Sequence, residues 1–391
     1  MASPTDQPSP EFRLVCAACQ WPRERRDAAV RAAAAEGLDW DRVARITRRH
    51  RVHGLVADAL AAPGLPVPAG FREQLRSRAQ EIARQNLLAA AETVRLGKAF
   101  DAAGIDWISF KGLTLAARAY GTLAVKQSND IDLLVAPERA IDACGVLAAA
   151  GYMRFNPGPE IADAQLATWI RTAKEVGWKH PATGLIVEVH ERMTANPALF
   201  PLPAIAAART RVELAPGLSV PTLSDDLLFP YLAAHGARDA WFRLKWLADV
   251  AALLSGCDAE AQYRNAQRLG VGRCAAQALL LANRLLGLPL DPAFERELRA
   301  SPVHRLMLRV ALRSVGGAHE AEEHSRRSML PVQVANLLLR RGLGYKWREL
   351  AALAANPRDR ARGALPAGLG FLYPVMGGVR WSGRMLGLKG R

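Results

Sequence analysis

Two aspartates, Asp130 and Asp132, stand one residue apart at the head of the apolar stretch DIDLLV. An ionised carboxylate is costly to remove from water unless a positive charge accompanies it, and a bound metal ion supplies that charge. Residues two apart in a strand project from the same face, so we expect these carboxylates side by side. Mg²⁺ or Mn²⁺ is the expected ion, because both bind carboxylate oxygens.

A third carboxylate is needed if two ions bridge the attacking and leaving oxygens of a phosphoryl transfer. Glu188 in LIVEVHE is the candidate, because the β-rich segment 185–192 is expected to lie beside the DID strand. His190 shares the face of Glu188 by the same two-residue period, which makes it a candidate to orient a metal ligand or to contact a substrate. The alternatives are a surface aspartate pair, a solvent-facing glutamate and a structural histidine.

A lysine-glycine turn, Lys111 and Gly112, separates a predicted strand over 105–110 from a predicted helix over 113–121. Free backbone N–H groups at a helix start bind phosphate, and a glycine allows close approach to the backbone. The turn is therefore predicted to hold nucleotide phosphates. A plain tight turn is the alternative.

The elements that position these residues alternate between strands and helices. We predict a long helix over 72–103, strands over 105–110 and 130–135, a helix over 137–150, and a hairpin of 173–180 with 185–192. Short amphipathic helices precede them over 23–62, and helices resume after Pro221. On the first of these later helices His235, Arg243 and Lys245 face either a bound nucleotide or solvent.

This order predicts an α+β fold in which a small mixed sheet is flanked by helical regions on both sides. We divide the chain into an N-terminal helical region, a core, a C-terminal helical domain and a basic tail that contains glycine and proline: 1–71, 72–215, 216–330 and 331–391.

Half of the 391 residues are apolar, which is enough for a sizeable core. Residues 1–11 show no secretory signal and no apolar run is long enough to cross a bilayer, so a cytoplasmic protein is expected. The five cysteines make no disulfide framework. Cys16 and Cys19 form a CxxC without a second pair, which favours small apolar helix positions over a zinc site.

The formal charge of +15 and the pI of about 10.2 indicate an anionic partner. Residues 340–391 hold eleven basic side chains and two acidic ones. This tail is predicted to contact a polyanion, which is either a nucleic acid or a membrane surface. An arginine-rich surface without such a role is the alternative.

The segments FKGLTLAARAY, NDIDLLV, AAAGY, GLIVEVHER and LSDDLLFPYLAAHGARDAWFRLKWLADVAALL follow one another in this order. Together they resemble a bacterial nucleotidyltransferase family of the polymerase-β-like superfamily, with its KG turn, DiDlLV strand and downstream [DE]xH. The resemblance covers roughly 40–256 and is strongest over 110–135.

The resemblance implies a polymerase-β-like core and a two-metal transfer of an NMP from an NTP to a hydroxyl of an unidentified acceptor. Asp130, Asp132 and Glu188 would be the catalytic metal ligands, with His190 close by. The acceptor class is open between a small molecule, a peptide and a protein.

Two departures from the superfamily pattern concern nucleotide binding. The usual glycine-serine turn is Lys111-Gly112 here, so the serine contact to phosphate is missing and Lys111 is expected to supply charge instead. Lys126 stands where the family tends to carry arginine, which keeps the charge and loses the bidentate fork. The alternative function is a non-catalytic nucleotide- or nucleic-acid-binding protein with the same fold. The presence of all three acids favours the enzyme.

Overall fold

A computed structural model of the chain describes residues 8–34, 37–201, 203–316, 320 and 329–354. Four short helices come first in these ranges: α1 Pro10–Ala18, α2 Arg23–Ala33, α3 Trp40–His50 and α4 His53–Leu60. The helices predicted over 23–62 correspond to α2, α3 and α4. Helix α1 is an addition to the prediction, and the Ser9 hydroxyl caps it by accepting the backbone N–H of Phe12 at 3.1 Å.

The long helix α5 spans Ala69–Ala102, close to the predicted 72–103. It begins after Pro68, and the chain leaves it through Gly104, whose φ of +64° suits glycine. Its buried stripe includes Leu75, Ile82 and Phe100. This stripe packs the helix against the sheet and the first helices.

A five-stranded sheet forms the centre of the fold, with the strand order β1-β2-β5-β4-β3. Its strands are β1 Trp107–Ser109, β2 Ile131–Val135, β3 Met153–Asn156, β4 Glu175–Lys179 and β5 Ile186–His190. The connections include α6 Leu113–Tyr120, a 3₁₀ turn Pro137–Arg139, α7 Ala140–Ala149, a second 3₁₀ turn Asp163–Gln165 and α8 Leu166–Ala173. Strands β2 and β5 pair in parallel, and the other pairs are antiparallel. The predicted mixed sheet flanked by helices is confirmed.

The two faces of the sheet have different surroundings. One face carries Leu133, Val187 and Val176 and belongs to a core shared with α5, α7 and α8. On the opposite face, Ile108 and Leu134 at the β1–β2 end join the larger helical core. The candidate functional residues project from this second face.

The remaining elements extend from a second hairpin into the C-terminal helices. They are α9 Ile205–Ala208, β6 Arg209–Ala215, β7 Leu218–Leu223, α10 Asp225–Arg238, α11 Leu244–Leu253, α12 Ala259–Arg268, α13 Gly272–Leu286, α14 Pro292–Ala300, α15 Pro302–Val315, α16 Met329–Asn336 and α17 Leu343–Ala354. The β6–β7 hairpin is absent from the prediction.

N-terminal and C-terminal helices share one hydrophobic core, in which α1 packs against α13. Cys16 and Cys19 are buried in this core. The four-part division of the chain stays a prediction. No helix among the described residues is long and apolar enough to span a membrane. Most of the predicted basic tail, 355–391, lies outside the described residues.

Candidate functional site

The parallel pairing of β2 with β5 brings two carboxylates together, because Asp132 lies opposite Glu188 in the register. Paired residues of neighbouring strands project from the same face of a sheet. The Asp132 side chain is closed off from solvent, whereas the Glu188 side chain keeps 22% of its surface exposed. The Asp132 carboxylate is thus buried, and the Glu188 carboxylate is accessible to a substrate.

His190 completes the group, two residues after Glu188 on the same strand face. Its Nε2 lies 3.0 Å from Asp132 Oδ1 and 3.4 Å from Glu188 Oε2. One ligand atom from each of the three residues can be chosen so that all lie within 4.8 Å of one another. This separation suits a single divalent cation bound by two carboxylate oxygens and one imidazole nitrogen.

The electrostatics of Asp132 support a cation at this position. Burial alone would raise its pKa, but the charges and hydrogen bonds of Lys111 and His190 hold the pKa of Asp132 well below its usual range. The carboxylate is therefore ionised. Its Oδ1 accepts Lys111 Nζ at 2.8 Å, while its buried Oδ2 has no hydrogen-bond partner among the described residues. An unpaired buried carboxylate oxygen is costly, and a metal ion would satisfy it.

Asp130 lies in a bend directly before β2, largely buried and close enough to Asp132 to feel its charge. That charge and burial raise the pKa of Asp130 to about 6, against the opposing charge of Lys111. The three residues whose ligand atoms lie within 4.8 Å of one another are Asp132, Glu188 and His190, and Asp130 is not among them. Metal binding by Asp130 stays a prediction, and His190 has the geometry of a ligand as well as of an orienting residue.

Glu175 is a fourth acid at the site, and the sequence interpretation misses it. It lies opposite His190 in the antiparallel β4–β5 pair, with Oε2 at 3.3 Å from His190 Nδ1. Burial would raise its pKa, but the charges of His190 and Lys174 lower it instead. Glu175 also forms an ion pair with Lys174. The predicted hairpin could have revealed this contact, because its register places Glu175, at the start of one strand, opposite His190, at the end of the other.

Aromatic packing fixes the orientation of the His190 ring. Phe110, the residue before the lysine-glycine turn, meets the ring edge-on with a centroid distance of 5.1 Å. The Tyr231 ring on α10 packs edge-on against Phe110 with a centroid distance of 5.4 Å, and the His235 ring stacks on Tyr231. Burial, with Lys111 nearby, lowers the pKa of His235 well below its usual value, so this ring is a neutral packing group behind the site.

The lysine-glycine turn lies where the prediction expects it, at the start of α6. Gly112 has a φ of +62° and a ψ of −117°, a conformation open essentially to glycine. As the N-cap of α6 it makes no side-chain hydrogen bond, so other groups can meet the first N–H groups of the helix. Burial opposes the charge of Lys111, but Asp132 raises its pKa well above the usual value.

Ser128 is a second residue that the sequence interpretation misses. Its hydroxyl would lie 3.5 Å from a Cβ atom added to Gly112, and this buried Oγ has no partner among the described residues. A phosphate at the start of α6 would come within reach of this hydroxyl. Ser128 therefore stands close to where the missing serine of the turn would act, although it comes from the loop before β2.

Lys126, predicted to bind nucleotide, lies in a buried ion pair. Its Nζ is 2.7 Å from Asp249 Oδ2 on α11, and the Tyr120 hydroxyl donates to the other oxygen at 3.0 Å. Asn86 on α5 donates to the Lys126 carbonyl at 2.7 Å. These contacts fasten the loop before β2 to two helices. Nucleotide binding by Lys126 stays a prediction, and its ammonium group has a structural partner.

Lys245 is the cation of α11 that lies close to this pair. Burial, followed by the charge of Lys126, lowers the pKa of Lys245 to about 7. Its direct contact with a nucleotide stays a prediction.

A comparison with known protein families finds a match over residues 36–287 to the family described as "Uncharacterised nucleotidyltransferase". The match covers more than half of the chain, so the chain belongs to this nucleotidyltransferase family. A search of curated proteins finds no match.

Proposed function

We propose that this member of a nucleotidyltransferase family moves an NMP from an NTP to a hydroxyl of an acceptor in a metal-dependent reaction. The observation that carries the proposal is the cluster of Asp132, Glu188 and His190, in which the buried Oδ2 of Asp132 has no hydrogen-bond partner among the described residues. Family membership supports nucleotidyl transfer in general. The metal dependence and the residue roles are our inference.

The carboxylates of Asp132 and Glu188 fit Mg²⁺ or Mn²⁺, with Asp130 as a further ligand when it is ionised. A cation bound there would neutralise phosphate charge and make the acceptor hydroxyl easier to deprotonate. Asp132 would anchor it, since this carboxylate is ionised and closed off from solvent. Glu175 Oε2 lies beside His190 Nδ1, where it would orient the ring so that Nε2 faces the cation.

The triphosphate would lie at the start of α6. Three kinds of group are the candidates to bind it: the backbone N–H groups after Gly112, the Lys111 ammonium, and the Ser128 hydroxyl, which has no partner among the described residues. A helix start favours anions through its free N–H groups and its dipole. Glu188 is the candidate to accept the proton of the acceptor hydroxyl, because its carboxylate is partly open to solvent.

Titration calorimetry with Mg-ATP and the other NTPs tests the proposal, together with an assay for pyrophosphate release. Asp132→Asn and Glu188→Gln should lower catalysis by roughly 100-fold or more, since each removes a ligand charge. Ser128→Ala should weaken NTP binding by about tenfold, the loss of a hydrogen bond to a charged group. Asp142→Asn, on the exposed side of α7, is the matched control and should change neither.

Equal NTP binding by the wild type and the Asp132→Asn variant, with no pyrophosphate released, would overturn the proposal. It would favour the second function, a non-catalytic binding protein. One observation supports that alternative: the Lys111 ammonium at 2.8 Å already neutralises part of the charge on Asp132, as a protein without metal would require.

A further inference from the structure

The open half of the sheet face extends from Glu188 to the edge strand β3. Glu188 on β5 pairs with Gly177 on β4, and Gly177 pairs with Asn156 on β3 across a register shift that includes Phe155. Paired residues share a face, so this row continues directly from the metal cluster. It runs away from β1 and β2, and therefore away from the start of α6.

Phe155 leans over Gly177 towards Glu188. A Cβ atom added to Gly177 would lie 2.9 Å from two atoms at the outer end of the Phe155 ring, Cε1 and Cζ. The ring thus uses the space that any other residue at 177 would fill. Its outer end covers the strand next to Glu188, about 5 Å away at the usual strand spacing.

Further apolar groups surround this ring. Met153 pairs with Lys179, and Lys179 pairs with Ile186 two residues before Glu188, so all three lie on the same face. Met153 is 65% exposed and Phe155 is 47% exposed. We call Met153, Phe155, Gly177 and Ile186 the β3 platform. The exposed Lys179 lies between Met153 and Ile186 on this face, and the apolar groups of the platform end at a carboxylate of the candidate site.

The position of the β3 platform relative to the phosphate turn favours one occupant. In an in-line transfer, the attacking oxygen and the leaving pyrophosphate lie on opposite sides of the reacting phosphorus. Lys111 and Gly112 follow β1, so the triphosphate side is the β1–β2 end of the row. The acceptor would then approach from the β4–β3 end, where Glu188 meets the platform.

We propose that the β3 platform binds the acceptor, and that the acceptor carries an aromatic ring close to its reacting hydroxyl. This inference rests on the proposed nucleotidyl transfer. The acceptor oxygen forms a bond to the α-phosphorus of the NTP while the bond to the β-phosphate oxygen breaks. Pyrophosphate leaves with the bonding electron pair, and the hydroxyl proton passes to Glu188. The ring packs against Phe155, as aromatic pairs do at centroid distances of about 5–7 Å.

Two small hydroxyl compounds test the platform without nucleotide or metal: N-acetyl-L-tyrosinamide and N-acetyl-L-serinamide, which differ in the aromatic ring. Saturation-transfer NMR on the full chain measures their binding. Phe155→Ala should weaken tyrosinamide binding by about two- to tenfold, the contribution of an aromatic pair. Leu87→Ala is the matched control, since Leu87 is 63% exposed on α5, a helix that packs against the other face of the sheet. Serinamide binding should be weaker and should not respond to either variant.

Gly177→Ala is a second variant, and it removes no apolar side chain. The added Cβ displaces the Phe155 ring and meets the Asn156 Cβ atom at 3.2 Å, so circular dichroism should first show that this variant folds. Tyrosinamide binding should weaken here too. In the transfer assay, both variants should raise the KM for an aromatic acceptor and leave the affinity for Mg-ATP unchanged.

Three results would contradict the proposal that the β3 platform binds the acceptor. The first is tyrosinamide binding that neither variant alters. The second is adenosine binding that depends on Phe155, which would make this the nucleobase site. The third is a wild-type dimer, seen by light scattering, that becomes monomeric in Phe155→Ala. Failure of the proposed function gives a different result. Mg-ATP then binds equally to the wild type and the Asp132→Asn variant, or to neither, whatever the tyrosinamide result.

Discussion

Replacing Lys126 with methionine separates a structural role of this lysine from nucleotide binding. The substitution keeps the length of the side chain and removes the ammonium group, which leaves Asp249 buried without its ion-pair partner. Both side chains are almost closed off from solvent, at 7% and 4% exposure. The ion pair joins the loop before β2 to α11, so its loss should destabilise the fold around the site.

The magnitude follows from what remains around Asp249. Removing one partner of a buried ion pair typically costs 3–5 kcal/mol, because an uncompensated charge is left behind. The Tyr120 hydroxyl still donates to Asp249 Oδ1 in the variant, so the carboxylate keeps one hydrogen bond. We therefore expect the low end of this range, about 3 kcal/mol of unfolding free energy.

Urea unfolding followed by circular dichroism measures the stability, and calorimetry measures the affinity for Mg-ATP. Lys126→Met should shift the unfolding midpoint strongly and change the affinity by less than about threefold. Lys98→Met, at an exposed position of α5, is the control. A double-mutant cycle with Asp249→Leu should give a coupling energy of about 1–3 kcal/mol. An unchanged midpoint with a tenfold loss of Mg-ATP affinity would refute the structural role and restore the predicted nucleotide contact.

Two further predictions concern pH and the tail. Burial, with Arg78 and then Arg48 nearby, lowers the pKa of His53 to about 4, while an unfolded histidine titrates near 6.5. The stability that neutral His53 contributes is therefore present above pH 6.5 and is lost between pH 6.5 and 4, because the unfolded chain binds the proton first. Urea midpoints of wild type and His53→Gln should converge over this interval as pH falls; parallel curves would contradict this. Separately, removing residues 355–391, with seven basic and one acidic side chains, should leave Mg-ATP affinity intact and weaken salt-sensitive binding to heparin. The cut spares Tyr345 and the other residues of α17. Equal heparin affinity would show that this tail makes no polyanion contact.

The sequence predicts the elements whose signals are local. The apolar period and the glycine after it locate α5 within a few residues, and the run IDLLV locates β2. Strand β3 escapes prediction because four residues at a sheet edge, with Met153 and Phe155 facing solvent, have no buried alternation to reveal them. Its importance comes from neighbours that are remote in the chain.

The site is predictable in its residue types and less so in its geometry. Asp132 and Glu188 stand out by spacing and strand context, but their contact depends on a parallel pairing that joins distant segments. Ser128 and Glu175 become visible only when the register and the loop path are known, because polar residues in such segments usually face solvent. Their partners are set by tertiary structure.

The charge of the site is opposite to the charge of the chain. Asp130, Asp132, Glu175 and Glu188 are drawn together by β2, β4 and β5, whereas the protein carries a net charge of +15. Such a group of acids is unfavourable without cations. Lys111 pairs with Asp132 Oδ1 and Lys174 pairs with Glu175, while Asp132 Oδ2 has no hydrogen-bond partner among the described residues. A divalent cation at Asp132 Oδ2 would complete the compensation. The net positive charge of the chain would then attract an anionic NTP, which links the high pI to nucleotide capture without a nucleic-acid role.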